Sequence, residues 1–352
     1  MNPLTDKVAT VAPVRWGVLG ASRFALRAAI PAMRQAPLAE LRALASRTPD
    51  KAAEAARAAG APRAYGRYED LLADPEIEAV YNPLPNHLHV PWSIQAARAG
   101  KHVLCEKPIA LSAAEAEALA AVQRETGVII AEAFMIRYHP QWDTVAALIG
   151  SGRIGAVRAL QIAFSYTNVD PTNIRNQREA GGGAVYDIGC YAINVARLIF
   201  AAEPRQVAAI AERDPGNGCD RLTSAILDFQ GGQATFTIGT QHVRFQGVHV
   251  FGTDGHIAVE IPFNAPPDRR CKVFVDDGFQ STPVFTIKET AAERAEVLEV
   301  PVASQYALQW QAFSAAVRGG PPVRNDMRSA VANMRVIDAV LRAAESRQWE
   351  AV

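Results

Sequence analysis

The sequence is poor in cysteine and has no excess of charge of either sign. The four cysteines are Cys105, Cys190, Cys219 and Cys271. Their wide spacing, without any CxxC pair, favours reduced thiols over a disulfide framework or a zinc site and predicts a cytoplasmic protein. Lys+Arg 36 equals Asp+Glu 36, so no basic surplus indicates a nucleic-acid partner.

Long apolar runs and a targeting segment are also lacking. The stretch Val128 to Ile136 is interrupted by Glu132, so we predict no membrane-spanning segment and no membrane partner. Residues 1–13 hold one lysine, Asp6 and no long apolar core, and they predict no secretory signal. The 352 residues, 49% hydrophobic and 20% charged, have the composition of a soluble globular protein with two or three domains.

Strands and helices alternate over the first third of the chain. The predicted strands are 14–20, 38–45, 79–81, 103–105 and 128–131, and the predicted helices are 26–33, 51–59, 68–72, 88–99 and 113–125. Ser112 followed by Glu115 forms a capping box before the last of these helices. This alternation is typical of a parallel, doubly wound α/β sheet, so we assign residues 1–134 to a nucleotide-binding Rossmann domain.

The pattern changes after Phe134. The predicted strands are 156–166, 206–211, 223–229, 233–239, 248–251 and 256–260, and the predicted helices are 140–150, 188–200, 305–317 and 328–347. Gly231-Gly232 is typical of a hairpin. We therefore assign residues 135–352 to an α+β domain with a large, mostly antiparallel open sheet. The terminal helices, 305–347, are in a position to pack back on the first domain.

The first strand ends in a turn that resembles a phosphate-binding fingerprint. Aligned to GxGxxG/A, Gly20 takes the first position, Ser22 the second and Ala25 the third. Gly20 permits a sharp turn, and the following helix start offers free N–H groups to a pyrophosphate. We therefore predict that Gly20, Ala21, Ser22, Arg23 and Phe24 bind a dinucleotide. Because the second glycine is missing, a purely structural turn is the alternative.

The end of the second strand indicates which dinucleotide is bound. NAD-specific folds usually place an acid there, but Glu40 lies at the start of the strand and Ser46 and Arg47 lie at its end. A hydroxyl and a guanidinium suit a 2′-phosphate, so we predict NADP rather than NAD. The alternative is an exposed arginine before the 51–59 helix.

A buried strand delivers two opposite charges to the sheet edge where ligands bind. Val103 to Cys105 is followed by Glu106, Lys107 and Pro108, and the proline stops the strand. In an open α/β sheet, ligands bind at the carboxyl ends of the strands. The two interpretations are a solvated ion pair in a surface turn and a catalytic lysine.

Further candidates come from the second half of the chain. Asp187 precedes Tyr191 by four residues, which places both on one helix face. A helix-capping Asp187 and a half-buried core Tyr191 are the alternatives. His87 and His89 are two residues apart, which does not place them on one helix face, so we predict no metal site. His139 before Pro140 is more often a structural residue at a helix start.

Together these residues resemble the Gfo/Idh/MocA oxidoreductases. The resemblance is carried by Glu106-Lys107-Pro108, the loop 85–89, Arg137-Tyr138-His139-Pro140 and the stretch 187–191. Tyrosine rather than histidine at 191 is similar to the NADP-dependent aldose dehydrogenases, dimeric dihydrodiol dehydrogenases and glucose–fructose oxidoreductases. The resemblance implies that Pro83, Leu84, Asn86, His89, Glu106 and Lys107 also contact the cofactor. It also implies a cis Lys107–Pro108 bond, and a homodimer or homotetramer formed through the open sheet.

The resemblance and the residues lead to one chemical hypothesis. Tyr191 is the predicted acid/base, and the ammonium of Lys107 is expected to lower the pKa of that phenol. Asp187 is expected to hold a sugar hydroxyl or to pair with Lys107. The predicted substrate-binding residues, suited to a sugar or polyol, are Arg137, Tyr138, His139, Asn173, Arg175, Asp187 and Tyr191.

We therefore predict an NADP-dependent enzyme that transfers hydride at C1 of an aldose, forming a lactone or running in reverse. A trans-dihydrodiol or an inositol is the alternative substrate. A non-catalytic NADP-binding sensor is the alternative class of protein.

Overall fold

A six-stranded parallel sheet forms the first half of the molecule, and the computed structural model describes residues 11–277 and 295–352. The strands are β1 (Val14–Leu19), β2 (Ala39–Ala45), β3 (Arg63–Tyr65), β4 (Ala79–Asn82), β5 (His102–Cys105) and β6 (Ile130–Glu132). Their order, β3-β2-β1-β4-β5-β6, is that of the dinucleotide-binding fold. The predicted Rossmann domain is confirmed.

Helices cover both faces of this sheet. They are α1 (Ile30–Met33), α2 (Pro49–Ala59), α3 (Tyr68–Ala73), α4 (His89–Arg98) and α5 (Ala113–Thr126). The predicted helix 26–33 begins as a π-helical turn, Ala25–Ala29, before it becomes α1. Ser112 Oγ accepts a hydrogen bond from the Glu115 N–H (3.2 Å), so the predicted cap of α5 is present. The short strand β3 was not predicted because two of its three residues are exposed and form no apolar run.

A nine-stranded sheet forms the second half. Its strands are β7 (Val157–Thr167), β8 (Gln206–Arg213), β9 (Asp220–Phe229), β10 (Gly232–Gly239), β11 (Gln241–Gly252), β12 (His256–Val259), β13 (Cys271–Asp276), β14 (Glu296–Val300) and β15 (Glu350–Ala351). The order is β14-β13-β12-β11-β7-β10-β9-β8-β15. Only β7 and β10 pair in parallel, so the predicted mostly antiparallel sheet is confirmed.

The strands β13, β14 and β15 were not predicted. In β13, Cys271, Val273 and Val275 are buried and alternate with less buried residues, a period-2 pattern from which the strand could have been recognised. The strand β15 has two residues and is ordered by pairing with β8, which a local pattern does not reveal. Residues 1–10 and 278–294 lie outside the described residues.

The remaining helices connect the two sheets. They are α6 (Pro140–Gly150), α7 (Cys190–Phe200), α8 (Gln305–Val317) and α9 (Met327–Ser346). The indole N–H of Trp310 in α8 donates to the carbonyl oxygen of Ala29 (2.8 Å), and its ring meets that of Trp16 in β1 edge to face (centroids 4.7 Å apart). Asp338 in α9 accepts from the N–H of Ala113 (2.8 Å). The chain end therefore packs against the first domain. Within the described ranges no helix has the length and apolarity to cross a membrane.

Candidate active site

The turn after β1 is shaped by Gly20. Its φ is +90°, and a Cβ there would lie 2.7 Å from Cδ2 of Leu84, so a larger residue does not fit. Ser22 stands where the fingerprint has its second glycine, and its Oγ accepts from the Ala25 N–H (3.1 Å). The serine thus caps the helical segment that follows, and Ser22, Arg23 and Phe24 line the cavity. This geometry fits a pyrophosphate.

Arg47 lies at the carboxyl end of β2, beside this turn. Its side chain is exposed and forms no ion pair with any residue in the described part of the chain. Arg47 is close enough to Tyr68 for its charge to oppose the rise that burial causes in the pKa of Tyr68. The Tyr68 hydroxyl lies 3.8 Å from the position that a Cβ atom would take on Gly20, so Arg47, Tyr68 and the Gly20 turn are neighbours. Ser46 is buried, and its N–H donates to Tyr65. Among the described residues, Arg47 is thus an exposed cation at the end of β2 without an ion-pair partner.

The strand β5 places Lys107 at the junction of the two domains, and the Lys107–Pro108 bond is cis. The Lys107 ammonium donates to the backbone oxygen of Asp187 (2.6 Å) and to its Oδ1 (3.2 Å). Glu106 does not pair with this ammonium; its carboxylate accepts from the Tyr81 hydroxyl (2.5 Å). The interpretation as a solvated Glu106–Lys107 ion pair is therefore wrong, because the partner of Lys107 comes from the second domain.

Asp187 is the centre of a buried charge network. Its Oδ2 accepts from the Arg175 Nε (3.0 Å) and the Tyr166 hydroxyl (2.5 Å), while Oδ1 faces Lys107. Burial alone raises the pKa of Asp187, but Lys107 and Arg175 outweigh it and hold that pKa well below its usual value. Burial tends to lower the pKa of Lys107, and Asp187 outweighs this and raises it. Lys107 is therefore held as an ammonium.

A widened helical turn delivers Asp187 to this network. Val185–Gly189 is a π-helical turn that leads directly into α7, and the Asp187 side chain forms no cap there. The Asp220 carboxylate anchors the turn by accepting from the N–H of Val185 (2.8 Å). Helix capping by Asp187 is therefore excluded. Because the turn is π-helical, the four-residue spacing to Tyr191 does not follow simple α-helical geometry.

Tyr191 lies beneath Lys107 in an aromatic cluster. The Lys107 Nζ is 4.8 Å from the centre of the Tyr191 ring, which also contacts Phe134 and Phe263. The Tyr191 hydroxyl donates to Sδ of Met135 (3.4 Å). Burial raises the pKa of Tyr191 well above 10. The expectation that Lys107 lowers this pKa is wrong, because the ammonium lies over the ring face and the hydroxyl is in an apolar environment.

His89 and Asn86 hold the loop after β4. The two ring nitrogens of His89 lie 2.7 Å from the carbonyl oxygens of Pro108 and Leu84. Burial lowers the pKa of His89 to about 4. The side-chain amide of Asn86 donates to the carbonyl oxygen of Gly181 in the second domain (2.8 Å). His89 thus connects the nucleotide side of the cavity to the Lys107 segment.

Three predicted substrate-binding residues, Arg137, Tyr138 and His139, do not reach the cavity. Tyr138 accepts from the N–H of Arg324 (3.3 Å), and the Arg324 guanidinium donates to the backbone of Arg137 (2.7 Å). His139 caps α6 by accepting from the N–H of Gln141 (3.3 Å), and burial lowers its pKa to about 4. These contacts order the start of α6 and the segment before α9, and a substrate-binding role for the three residues stays a prediction.

One cavity of about 1080 Å³ brings most of the other predicted residues together. They are Ser22, Arg23, Phe24, Pro83, Leu84, Asn86, His89, Glu106, Lys107, Asn173, Arg175, Asp187 and Tyr191. Gly20, Ala21, Ser46 and Arg47 lie outside its lining. No cluster of three or more metal-ligating side chains occurs in residues 11–277 and 295–352.

The sequence analysis missed other residues that face this cavity. Tyr166 ends β7 and reaches Asp187, and Tyr306 at the start of α8 contacts the ring of Phe24 (centroids 5.6 Å apart). Arg244 and Arg269 also line the cavity. A tyrosine at the end of the long predicted strand 156–166 was a usable signal, whereas the arginines have no local signature.

Comparisons with known proteins agree with this arrangement. Residues 14–134 match the family model for an oxidoreductase family with an NAD-binding Rossmann fold, and residues 142–258 match the GFO/IDH/MocA C-terminal domain. An uncharacterized oxidoreductase of Rhizobium meliloti is 47% identical over 340 residues, 96% of this chain and 99% of the relative. The D-xylose 1-dehydrogenase (NADP(+)) 2 of Haloferax volcanii is 37% identical, over 94% of this chain and 97% of the relative.

Among solved structures, a 3-ketoreductase from Actinomadura kijaniata in complex with NADP and TDP-benzene superposes with a TM-score of 0.85. It is 33% identical, and the match covers 94% of this chain and 98% of the ketoreductase.

Proposed function

The chain belongs to the Gfo/Idh/MocA oxidoreductase family, and on that premise we propose that it transfers hydride between NADP and C1 of an aldose sugar. It would form a lactone from the sugar or run the reverse reaction. The observation that carries this proposal is the Lys107 ammonium, held by Asp187 where the cavity passes from the nucleotide-binding domain to the second domain. The xylose dehydrogenase relative supports the choice of C1.

The cofactor is NADP, and the residues present fit it. The turn at Gly20 leaves room for a pyrophosphate, and the exposed, unpaired Arg47 suits a 2′-phosphate. When bound, the nicotinamide accepts or donates the hydride. The protein's part is to hold the sugar carbon in place and to move the hydroxyl proton.

We assign the proton transfer to Lys107. Because Asp187 raises the pKa of Lys107, its ammonium is available at neutral pH to donate a proton to a carbonyl oxygen during reduction. During oxidation the neutral amine would take the hydroxyl proton. Tyr191, whose pKa lies well above 10, stays protonated and would donate a hydrogen bond to the same oxygen. This replaces the earlier expectation that Tyr191 itself is the base.

A substrate panel tests the function. We expect purified protein with NADP⁺ to form NADPH fastest with an aldose, and the product to be the corresponding lactone, identified by mass spectrometry. A faster reaction with an inositol or a trans-dihydrodiol would replace the aldose with the alternative substrates. Binding of NADPH without turnover of any sugar, polyol or dihydrodiol would instead indicate a sensor, although the buried Lys107–Asp187 pair facing the cavity favours an enzyme.

A single substitution tests the cofactor assignment. We expect Arg47→Ala to weaken NADP binding about 10-fold and to leave NAD binding unchanged, because only NADP carries the 2′-phosphate. Dissociation constants for both cofactors can be measured by fluorescence titration. Arg67→Ala is the matched control, since Arg67 is exposed and pairs with Glu69 (3.6 Å). Tighter binding of NAD than of NADP, unchanged in Arg47→Ala, would contradict the assignment.

Self-association through the nine-stranded sheet stays a prediction, as does a cytoplasmic location. Ile210 in β8 and Ile226 in β9 are 61% and 39% exposed. Both lie on the sheet face opposite the buried residues Leu227 and Ala225. An exposed apolar face of this kind suits the predicted homodimer or homotetramer.

A further inference from the structure

Two arginines of the second domain line the same cavity as Lys107. They are Arg244 in β11 and Arg269 in the segment between β12 and β13. Both belong to the second domain, whereas the nucleotide turn at Ser22–Phe24, which lines the same cavity, belongs to the first. A group bound there would therefore belong to the substrate and not to the adenosine half of the cofactor.

The cations that line the cavity differ in their pairing. Lys107 and Arg175 are both satisfied by Asp187. Arg244 and Arg269 are exposed, and neither forms an ion pair or a hydrogen bond within residues 11–277 and 295–352. Arg270, the next residue along, pairs with Glu299 (3.0 Å) on β14. Asp268 also lines the cavity, and it forms no ion pair with either arginine within the described part of the chain, so one positive charge remains in excess.

The backbone around both arginines is well anchored. Arg244 lies in the register shift between β11 and β7 that separates Gln241 from Phe245, a bulge that can redirect a side chain. The Ser165 hydroxyl holds this bulge by donating to the carbonyl oxygen of Val243 (2.7 Å). The segment that leads to Arg269 is tied to the same strand, because Oε1 of Gln246 accepts from the N–H groups of Phe263 and Asn264 (3.0 and 3.1 Å).

We infer that Arg244 and Arg269 bind a phosphate group of the substrate, so that the enzyme acts on a phosphorylated sugar. The planar guanidinium offers paired N–H donors that match phosphate oxygens. Phe245, which is 54% exposed and lines the same cavity, provides an aromatic face beside this site. The shared ligand chemistry is a phosphate ester, from either a sugar monophosphate or a nucleoside diphosphate sugar. The inference rests on the proposed hydride transfer at Lys107.

The test compares three ligands at fixed NADP concentration: a hexose, its 6-phosphate, and a nucleoside diphosphate hexose. We expect at least one phosphorylated ligand to bind about 10-fold or more tightly than the hexose, by calorimetry. Arg244→Gln and Arg269→Gln should each reduce that preference about 3-fold, and the double variant should abolish it. Arg270→Gln, the neighbouring exposed arginine that is already paired, should keep the wild-type preference.

The outcomes separate the two proposals. The phosphate site is overturned if the wild type binds neutral and phosphorylated sugars equally, or if the double variant keeps the wild-type preference. In either case, turnover of the neutral hexose would still support the proposed function. Arginine-dependent binding of phosphorylated sugars without NADP-linked turnover of any sugar supports the site and rejects hydride transfer. If Phe245→Ala weakens binding of the nucleoside diphosphate hexose but not of the hexose 6-phosphate, the substrate is a nucleoside diphosphate sugar. If Phe245→Ala binds both phosphorylated ligands as tightly as the wild type does, the substrate is a sugar monophosphate.

Discussion

Lys107→Ala is expected to lower kcat for the best sugar by about 10²- to 10⁴-fold, the range typical of a lost general acid or base. The physical reason is that the Lys107 ammonium faces the cavity at the domain junction, where Asp187 holds it, and carries a proton that it can transfer. Steady-state rates of NADPH formation and consumption measure the loss. NADPH binding, followed by fluorescence, should change much less than kcat.

The conservative variant separates charge from proton transfer. Lys107→Arg keeps a cation beside Asp187 but cannot release its proton at any accessible pH, so we expect it to be folded and nearly as inactive as Lys107→Ala. Tyr191→Phe should have a smaller effect, because Tyr191 only donates a hydrogen bond. Near-full turnover in both Lys107 variants would reject this assignment, and a larger loss in Tyr191→Phe than in Lys107→Arg would return the proton transfer to Tyr191.

The same assignment sets the pH dependence of the wild-type enzyme. Oxidation needs the neutral amine of Lys107, and its pKa is raised by Asp187. The rate of sugar oxidation should therefore rise with pH throughout the neutral and moderately alkaline range, while carbonyl reduction is already supported at neutral pH. In Lys107→Arg, the remaining rate of sugar oxidation should not show this increase with pH.

Asp187→Asn is expected to destabilise the protein by about 3 kcal/mol or more at pH 7, as well as to impair catalysis. The substitution keeps the shape of the side chain but leaves Lys107 and Arg175 without a buried counter-charge, and breaking such a pair typically costs about 3–5 kcal/mol. Chemical denaturation of wild type and variant measures the difference. Asp228→Asn is the control, because water screens its pair with the exposed Arg205 (3.0 Å) and the substitution should change stability far less than Asp187→Asn.

Acid should reduce the effect of Asp187→Asn. The pKa of Asp187 is lowered in the folded protein, so its contribution to stability is fully present above the unfolded value of about 3.9. That contribution decreases as the pH falls below this value, because the unfolded chain then binds a proton that the folded protein does not. The difference in unfolding free energy between wild type and variant should thus be smaller at pH 3 than at pH 7. An equal difference at both values would contradict the charge network.

Parts of the site could be predicted from the sequence because they depend on local patterns. The strand before Glu106 and Lys107 is apolar and ends at a proline, and a single glycine at position 20 marks the nucleotide turn. These features also carry the family resemblance, which the comparisons confirm. The motif Arg137-Tyr138-His139-Pro140 shows the limit of such reasoning, since its side chains are polar and lie in a loop but contact Arg324 and Gln141 instead of the cavity.

The sequence by itself therefore determined the fold class, the family, and the identity of Lys107 and Asp187 as candidates, because strand periodicity and short motifs are local properties of a chain. Only the tertiary structure decided their roles. It brought Asp187 to Lys107 across 80 positions of sequence, raised the pKa of Tyr191 by burial, and placed Arg244 and Arg269 in the cavity lining without an ion-pair partner among the described residues. Pairing, desolvation and exposure depend on which distant residues share a space, and a linear pattern does not contain that information.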